Sequence, residues 1–393
     1  MQQLNTATLP IRRRNLAITR VKSTVAIALA GFTLAACVPF ALPPEPTVIS
    51  PSDNAGYVDP IISGDGQVVA YRRETDQYLP PLAARELVVT DLGSNETRRF
   101  SGVGVIEAIA EDGGHLVHWR REGGESSLLE LNTTTGLDRT LVADRFELGG
   151  DTSAVRIAMA HGTIAWLREV TDEGNCPCHT ELQAWRNDEI ITNLSFETFD
   201  SYDDYIEGDT VQLAGLSPDG EVAYLFDTET RAVSSVSLND GTTTRLAMTL
   251  PTAQRWEVLR VTNQPGPRFV FSGVDSVWTV AAGAEPTALT APRATDRQFA
   301  LSPNGRFAAF HGSSSTEILG DQRLYSRSYS VTDLERGSTV VVAQSVFSEG
   351  QPHVAAFSAL ASVSDFGVVA IGRWKPGPNG TWRPSVIEVL NAS

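Results

Sequence analysis

Beyond residue 46, apolar and polar positions alternate in short runs along nearly the whole chain. A period of two is the signature of strands. The runs are separated by turns that recur. Ile62-Ser63-Gly64-Asp65-Gly66 leads into Gln67-Val68-Val69-Ala70-Tyr71. Leu216-Ser217-Pro218-Asp219-Gly220 leads into Glu221-Val222-Ala223-Tyr224, and Leu301-Ser302-Pro303-Asn304-Gly305 into Arg306-Phe307-Ala308-Ala309-Phe310. Proline fixes φ at one turn position in two of these copies, and glycine supplies a left-handed position in all of them. Weaker copies are Glu111-Asp112-Gly113, Ala160-His161-Gly162, Gln264-Pro265-Gly266 and Ser364-Asp365-Phe366-Gly367.

The closing glycines of these turns are residues 66, 113, 162, 220, 266, 305 and 367. Their spacing averages about 50 residues, a propeller-sized period. A second pair of short strands follows several turns, as in Glu86–Leu92 with Thr97–Phe100, and Ser127–Leu131 with Arg139–Val142. The pattern predicts an all-β chain: a β-propeller of seven blades, each of four antiparallel strands. The last unit offers strands at Gly367–Gly372 and Ser385–Leu390 and then ends. An open ring leaves unpaired edges, so Thr47-Val48-Ile49-Ser50 is expected to complete the last blade. Tyr71, Trp119, Trp166, Tyr224 and Phe310 fall at similar strand positions and are expected to pack between blades.

The first 36 residues break the pattern. Arg12, Arg13, Arg14, Arg20 and Lys22 precede a mostly apolar run over Val25–Ala36, with no acid before Cys37. The run is short for a membrane span and suits a signal peptide. Leu34-Ala35-Ala36-Cys37 resembles a bacterial lipobox, which implies acylation of Cys37 after cleavage. Residues 1–36 thus read as a signal peptide, 37–46 as a lipidated cysteine with a proline-rich tether, and 47–393 as the propeller. Val38 and Pro39 after the cysteine imply, by resemblance to envelope lipoproteins, the periplasmic side of an outer membrane.

Charge narrows the partners. The 393 residues carry 31 Lys+Arg against 47 Asp+Glu, a formal charge of −16. Removing residues 1–36 takes away five positive charges and no negative ones, so the body is more acidic still. Such a surface argues against nucleic acid, which needs a cationic footprint. It also argues that any membrane attachment runs through the lipid rather than a basic patch.

The Ser-Pro-Asp-Gly turn, the Val-Ala-Tyr or Phe-Ala-Ala-Phe strand after it, and the later Val-Thr-Asp-Leu strand (Val89–Leu92 and Val331–Leu334) together resemble the WD40-like repeats of TolB-type β-propellers. The resemblance spans roughly residues 47–393. It implies a β-propeller, without the separate α/β domain of the periplasmic TolB protein.

Candidate chemistry is sparse. Cys176-Pro177-Cys178-His179 sits between Thr163–Glu169 and Thr180–Arg186, in an expected hairpin loop. It could form a small disulfide ring in an oxidising envelope, hold a soft metal, or simply staple the loop. Asp200–Asp209, with Tyr202, Asp203, Asp204 and Tyr205, is an acidic aromatic loop without EF-hand spacing. Further long loops are expected at Glu74–Arg85 with Tyr78, at His311–Gln322, and at Arg373–Pro384 with Trp374 and Trp382. All should share one face, with the tight turns on the other; long loops on a rigid scaffold are where binding resides. His115, His118 and His161 are expected at ordinary strand and turn positions.

No P-loop, HExxH or dinucleotide fingerprint occurs, and Gly215-Leu216-Ser217-Pro218-Asp219 lacks the last glycine of a nucleophile elbow. No cofactor is implied. The sequence therefore points to a lipid-anchored, non-catalytic scaffold for envelope proteins. The alternative is a propeller that binds a small ligand or metal, including an enzyme whose site is dispersed over loops.

Overall fold

The computed structural model describes residues 47–391 apart from 52–54, 75–84, 123–124, 145–156, 172–176, 188, 198–210, 228–229, 249–255, 263–266, 274–276, 290–298, 312–314, 320–321, 349–356 and 377–381. No described helix is long and apolar enough to cross a membrane.

The chain enters at β1 (Thr47–Val48) and then winds blade by blade. Blade 1 holds β2 (Gly56–Ile62), β3 (Val68–Glu74), β4 (Arg85–Asp91) and β5 (Thr97–Val103). Blade 2 holds β6 (Ile106–Ile109), β7 (His115–Glu122), β8 (Glu125–Asn132) and β9 (Asp138–Asp144). Blade 3 holds β10 (Ile157–Ala160), β11 (Thr163–Thr171), β12 (Pro177–Arg186) and β13 (Glu189–Glu197). Blade 4 holds β14 (Val211–Leu216), β15 (Val222–Asp227), β16 (Ala232–Ser237) and β17 (Thr243–Arg245). Blade 5 holds β18 (Trp256–Thr262), β19 (Arg268–Gly273), β20 (Val277–Ala281) and β21 (Thr287–Leu289). Blade 6 holds β22 (Phe299–Leu301), β23 (Phe307–His311), β24 (Ser315–Leu319), β25 (Gln322–Asp333) and β26 (Ser338–Ser348). Blade 7 holds β27 (Phe357–Val363), β28 (Val368–Pro376) and β29 (Trp382–Asn391).

These form seven antiparallel sheets, so the seven-bladed β-propeller stands as the sequence predicts. Ring closure also follows the expectation. β1 is the outermost strand of blade 7, with Thr47 opposite Val389 and Val48 opposite Glu388. The Ile49 N–H donates to the Ile387 carbonyl at 3.0 Å, and the Ile387 N–H donates to Ser50 Oγ at 3.1 Å.

The repeated turn is a hydrogen-bond device. In blade 1, Ser63 Oγ accepts the Val68 N–H at 2.9 Å and donates to Asp65 Oδ1, which accepts the Gln67 N–H at 2.9 Å. Ser217 and Asp219 repeat this in blade 4, and Ser302 and Asn304 in blade 6. Ser plus Asp or Asn at this spacing satisfies turn donors that a bare loop would leave to water. The aspartate or asparagine ending the third strand works in the same way. Asp91, Asn132 and Asp333 each accept two N–H groups from the turn that follows.

The core lies between the blades. Among the described residues, a buried hydrophobic cluster sits at each of the seven junctions of neighbouring blades. The alternation in Val69-Ala70-Tyr71 shows how. Val69 and Tyr71 pack toward blade 7, with Tyr57, Ala370 and Ile387. Ala70 packs toward blade 2, with Leu87 and Leu116. Both faces of the strand are buried, so the sequence reads as a nearly continuous apolar run. Tyr71, Trp119, Trp166, Tyr224 and Phe310 are all buried, as expected. Each such side chain contributes roughly 1.5–3 kcal/mol by leaving water.

Three expected loops are shorter than the sequence suggests. The stretch between His311 and Gln322 contains β24, which pairs with the first half of β25, Ser315 opposite Ser326 and Leu319 opposite Gln322. The second half of β25 pairs with β23, and β26 covers its other side, so this blade has five strands. Strands β28 and β29 run on through the expected Arg373–Pro384 loop; Trp374 lies opposite Pro384 and Pro376 opposite Trp382. Cys178 and His179 belong to β12 rather than to a loop. In each case cross-strand hydrogen bonding continues past the point where the apolar alternation fades.

Candidate functional site

The two ends of the ring differ. One end carries the turns that join first to second and third to fourth strands. Their described donors and acceptors are used locally, and Leu92, Leu238 and Leu334 tie the two turns of one blade together by donating to Gln67, Glu221 and Arg306. The other end carries the connections from second to third strand and from blade to blade, and the hairpin of β24 and β25.

At the tight-turn end, the turns of four successive blades are chained. The Asn304 N–H donates to Asp365 Oδ1 at 2.7 Å. The Asp365 N–H donates to the Gly64 carbonyl at 2.8 Å, and the Asp65 N–H to the Glu111 carbonyl at 2.9 Å. The chain therefore runs from blade 6 through 7 and 1 to 2. Gly64 lies between two acids: a Cβ there would meet Glu111 Cγ at 3.0 Å and Asp365 Oδ2 at 3.4 Å. Burial, and then the charge of Glu111, push the Asp365 carboxyl up to about 6, against the hydrogen bonds from Asn304 and Ser302. Asp219, on the exposed turn of blade 4, goes the other way; hydrogen bonds from Ser217 and Glu221 hold its carboxyl below the usual range.

Two charged constellations are built into the blades. On innermost strand β2, a bulge between Val58 and Ile61 puts Asp59 in the left-handed region at φ 52°, paired with the buried guanidinium of Arg72. In blade 2, His118 is wholly buried; its Nε2 lies 3.3 Å from Asp138 Oδ1, and Arg120 pairs with the same carboxylate. Burial works against the Asp138 charge, yet these partners hold its carboxyl below the usual range. His115 Nδ1 lies 3.1 Å from Glu130 Oε1. These histidines serve the strands, as expected, and His161 sits in its turn at φ 45°.

The candidates read from sequence gather less clearly. Cys37, Tyr78, Cys176, Tyr202, Asp203, Asp204 and Tyr205 lie outside the described residues. Cys178 is the extra residue of a bulge in β12, since Val170 pairs with His179 and Thr171 with Pro177. His179 lies opposite Glu197 at the end of β13. The connection holding Cys176 and the one holding the acidic loop therefore leave blade 3 at the same end. Trp374 and Trp382 sit on neighbouring strands. No group of three or more metal-ligating side chains is assembled among the described residues.

Sequence reasoning found the Glu111 and Asp365 turns as weak repeats but not their pairing. Blade 7 meets blade 1 only when the ring closes, and no local pattern carries that. Asp59 left one signal: an acid before Pro60 inside an otherwise apolar strand.

No protein-family model matches the chain, and no curated protein sequence does. Solved structures do. The β-propeller domain of the Trilobed protease from Pyrococcus furiosus is 11% identical, with a TM-score of 0.53 over 88% of this chain and 95% of that one. An oligogalacturonate lyase in complex with manganese gives 11%, 0.54, 88% and 93%. An acylaminoacyl peptidase bound to a chloromethyl ketone gives 9% and 0.52, over 86% of this chain and 51% of that one. At such identities the likeness establishes the fold, a seven-bladed β-propeller.

The sequence, lacking contiguous catalytic motifs, pointed to a protein that is not an enzyme. The solved structures it resembles include peptidases and a lyase. That expectation does not stand, because missing contiguous motifs do not exclude an enzyme. A propeller can build a site from side chains on several blades, far apart in sequence, and such a site leaves no short pattern.

Proposed function

We propose that this protein is a lipid-anchored propeller of the bacterial cell envelope, and that it recognises an envelope protein on the face bearing its long connections. The observation that carries the reading is the asymmetry between the two ends of the ring. One end spends its polar groups on its own turns. The other carries the long connections and the extra hairpin of blade 6. A rigid ring with long connections at one end suits recognition. The anchor rests on the Leu34–Cys37 motif and the basic, apolar leader before it. The repeat resembles TolB-type propellers, which fits an envelope setting.

The test is site-specific photocrosslinking in the native envelope, with the crosslinker at Tyr325 on β25 or at Tyr78, and at Asn95 on the tight-turn end. Capture of one protein from the first two positions and not the third supports the reading. Capture from Asn95 alone overturns the face assignment. Palmitate labelling that survives Cys37→Ser overturns the anchor.

A second reading is a propeller that works on a metal or small ligand. It is favoured by Cys178 and His179 at the end of blade 3, with Glu197 opposite. The manganese-bound lyase, nearly all of whose chain is matched, is the neighbour that suggests it. Metal analysis of the purified protein and of a Cys176→Ser, Cys178→Ser variant distinguishes the two. Stoichiometric metal lost in the variant supports the second reading, and a metal-free wild-type protein that captures its partner supports the first.

A further inference from the structure

We propose that the chained turns of blades 6, 7, 1 and 2 form a proton-operated clasp, in which Asp365 takes up a proton in mild acid and tightens the ring where it closes. The two ends of the propeller meet in blade 7, where the two-residue β1 pairs with β29 at the edge, and this chain of turns ties blade 7 to blades 6 and 1 at the tight-turn end. Asp365 is the hinge of that chain: its carboxylate accepts from blade 6 and its N–H donates to blade 1.

The charges around it are arranged against ionisation. Glu111 approaches from blade 2 across Gly64, where no side chain separates the two acids. Asp65, on the blade 1 turn, has Oδ1 occupied by Ser63 Oγ and the Gln67 N–H. Asp112 of blade 2 accepts the Gly114 N–H. Arg306, the cation near Asn304, is engaged by Asp333 and Glu335 instead. No described cation therefore faces the pair. Burial and the Glu111 charge both favour the neutral form, with the carboxyl raised from 3.8 to about 6.

The sign follows from linkage. The folded state holds a proton that the unfolded chain releases, so this group's contribution to stability falls as pH rises from 3.8 to about 6. Above that window Asp365 is ionised in both states and its unfavourable contribution is constant.

The test compares wild type, Asp365→Asn and Glu111→Gln by thermal unfolding between about pH 5 and pH 7.5, with hydrogen exchange of the Asp65 and Asp365 amides. Asparagine mimics the protonated acid. Asp365→Asn is expected to melt several degrees above wild type at the upper pH, with the gap closing at the lower. Wild-type protection of the Asp65 and Asp365 amides, corrected for intrinsic exchange, is expected to rise several-fold on acidification and to be flat in Asp365→Asn. Glu111→Gln keeps the titrating acid but moves the transition to lower pH. An Asp365→Asn gap that is independent of pH, or a transition that Glu111→Gln leaves in place, overturns the proposal. Asp365→Asn reads out the clasp as a gain in stability, so a loss of folding does not imitate success.

Discussion

A chain that begins at Pro51 lacks the segment that closes blade 7, and its stability measures what closure contributes. Four sets of contacts disappear. The Thr47 and Val48 ladder with Val389 and Glu388 goes. So do the 3.0 Å bond from Ile49 to Ile387, the 3.1 Å bond from Ile387 to Ser50 Oγ, and the 3.2 Å bond from Tyr71 Oη to the Ile49 carbonyl. Tyr71 keeps Thr90 as a partner. Ile387 is wholly buried, so its N–H loses an acceptor that water replaces poorly. Net values of about 1 kcal/mol per bond, with about 1–3 for the orphaned donor, give a loss of roughly 3–5 kcal/mol. That is a large part of the stability of an ordinary domain, about 5–15 kcal/mol. Equilibrium unfolding in urea is the assay, with a chain beginning at Pro46 as reference. At a slope near 3 kcal/mol per molar, the midpoint should fall by about 1 M or more. Ser50→Ala in the longer chain removes one bond and should give a smaller shift, worth about 1–2 kcal/mol. Equal midpoints and equal slopes for the two chains would refute the reasoning, because closure would then rest on contacts other than these.

Other outcomes follow from the same physics. Trp166→Ala empties a filled position between blades 2 and 3 and should cost about 3–5 kcal/mol in urea unfolding. Ser217→Ala removes the buried hydroxyl that accepts the Val222 N–H and should cost about 1–2 kcal/mol, whereas Ser217→Thr should retain most of that stability. Asp91, Asp219, Asp240 and Asp333 all have carboxyls held below 3.8 by turn hydrogen bonds or ion pairs. Stability from these groups is complete above that value and is lost as pH falls through their lowered ones, so melting temperature should drop below about pH 4. Asp138→Asn leaves buried His118 and Arg120 without their shared anion and should lower the melting temperature without changing partner capture.

Much of this protein was legible in its sequence because a propeller repeats. Each turn uses its own serine and aspartate, so Ser63–Gly66, Ser217–Gly220 and Ser302–Gly305 are local devices whose hydrogen bonds span five residues or fewer. Their recurrence sets the blade count, and the double-sided burial of strands such as Val69–Tyr71 explains the apolar runs between them. Even closure by Thr47–Ser50 could be reasoned from a missing strand, since an open ring leaves an unpaired edge. What lies beyond the repeat was not legible. The hairpin at β24, the extension of β28 and β29, and the entry of Cys178 into β12 depend on cross-strand pairing where the alternating pattern has faded. The meeting of Glu111 and Asp365 across Gly64 joins residues from blades 2, 7 and 1, which become neighbours only when the ring closes. Hydrogen bonds within a turn are determined by adjacent residues and so are written in the sequence. Charge pairs across a ring are determined by how distant blades abut, and only the tertiary structure decides them.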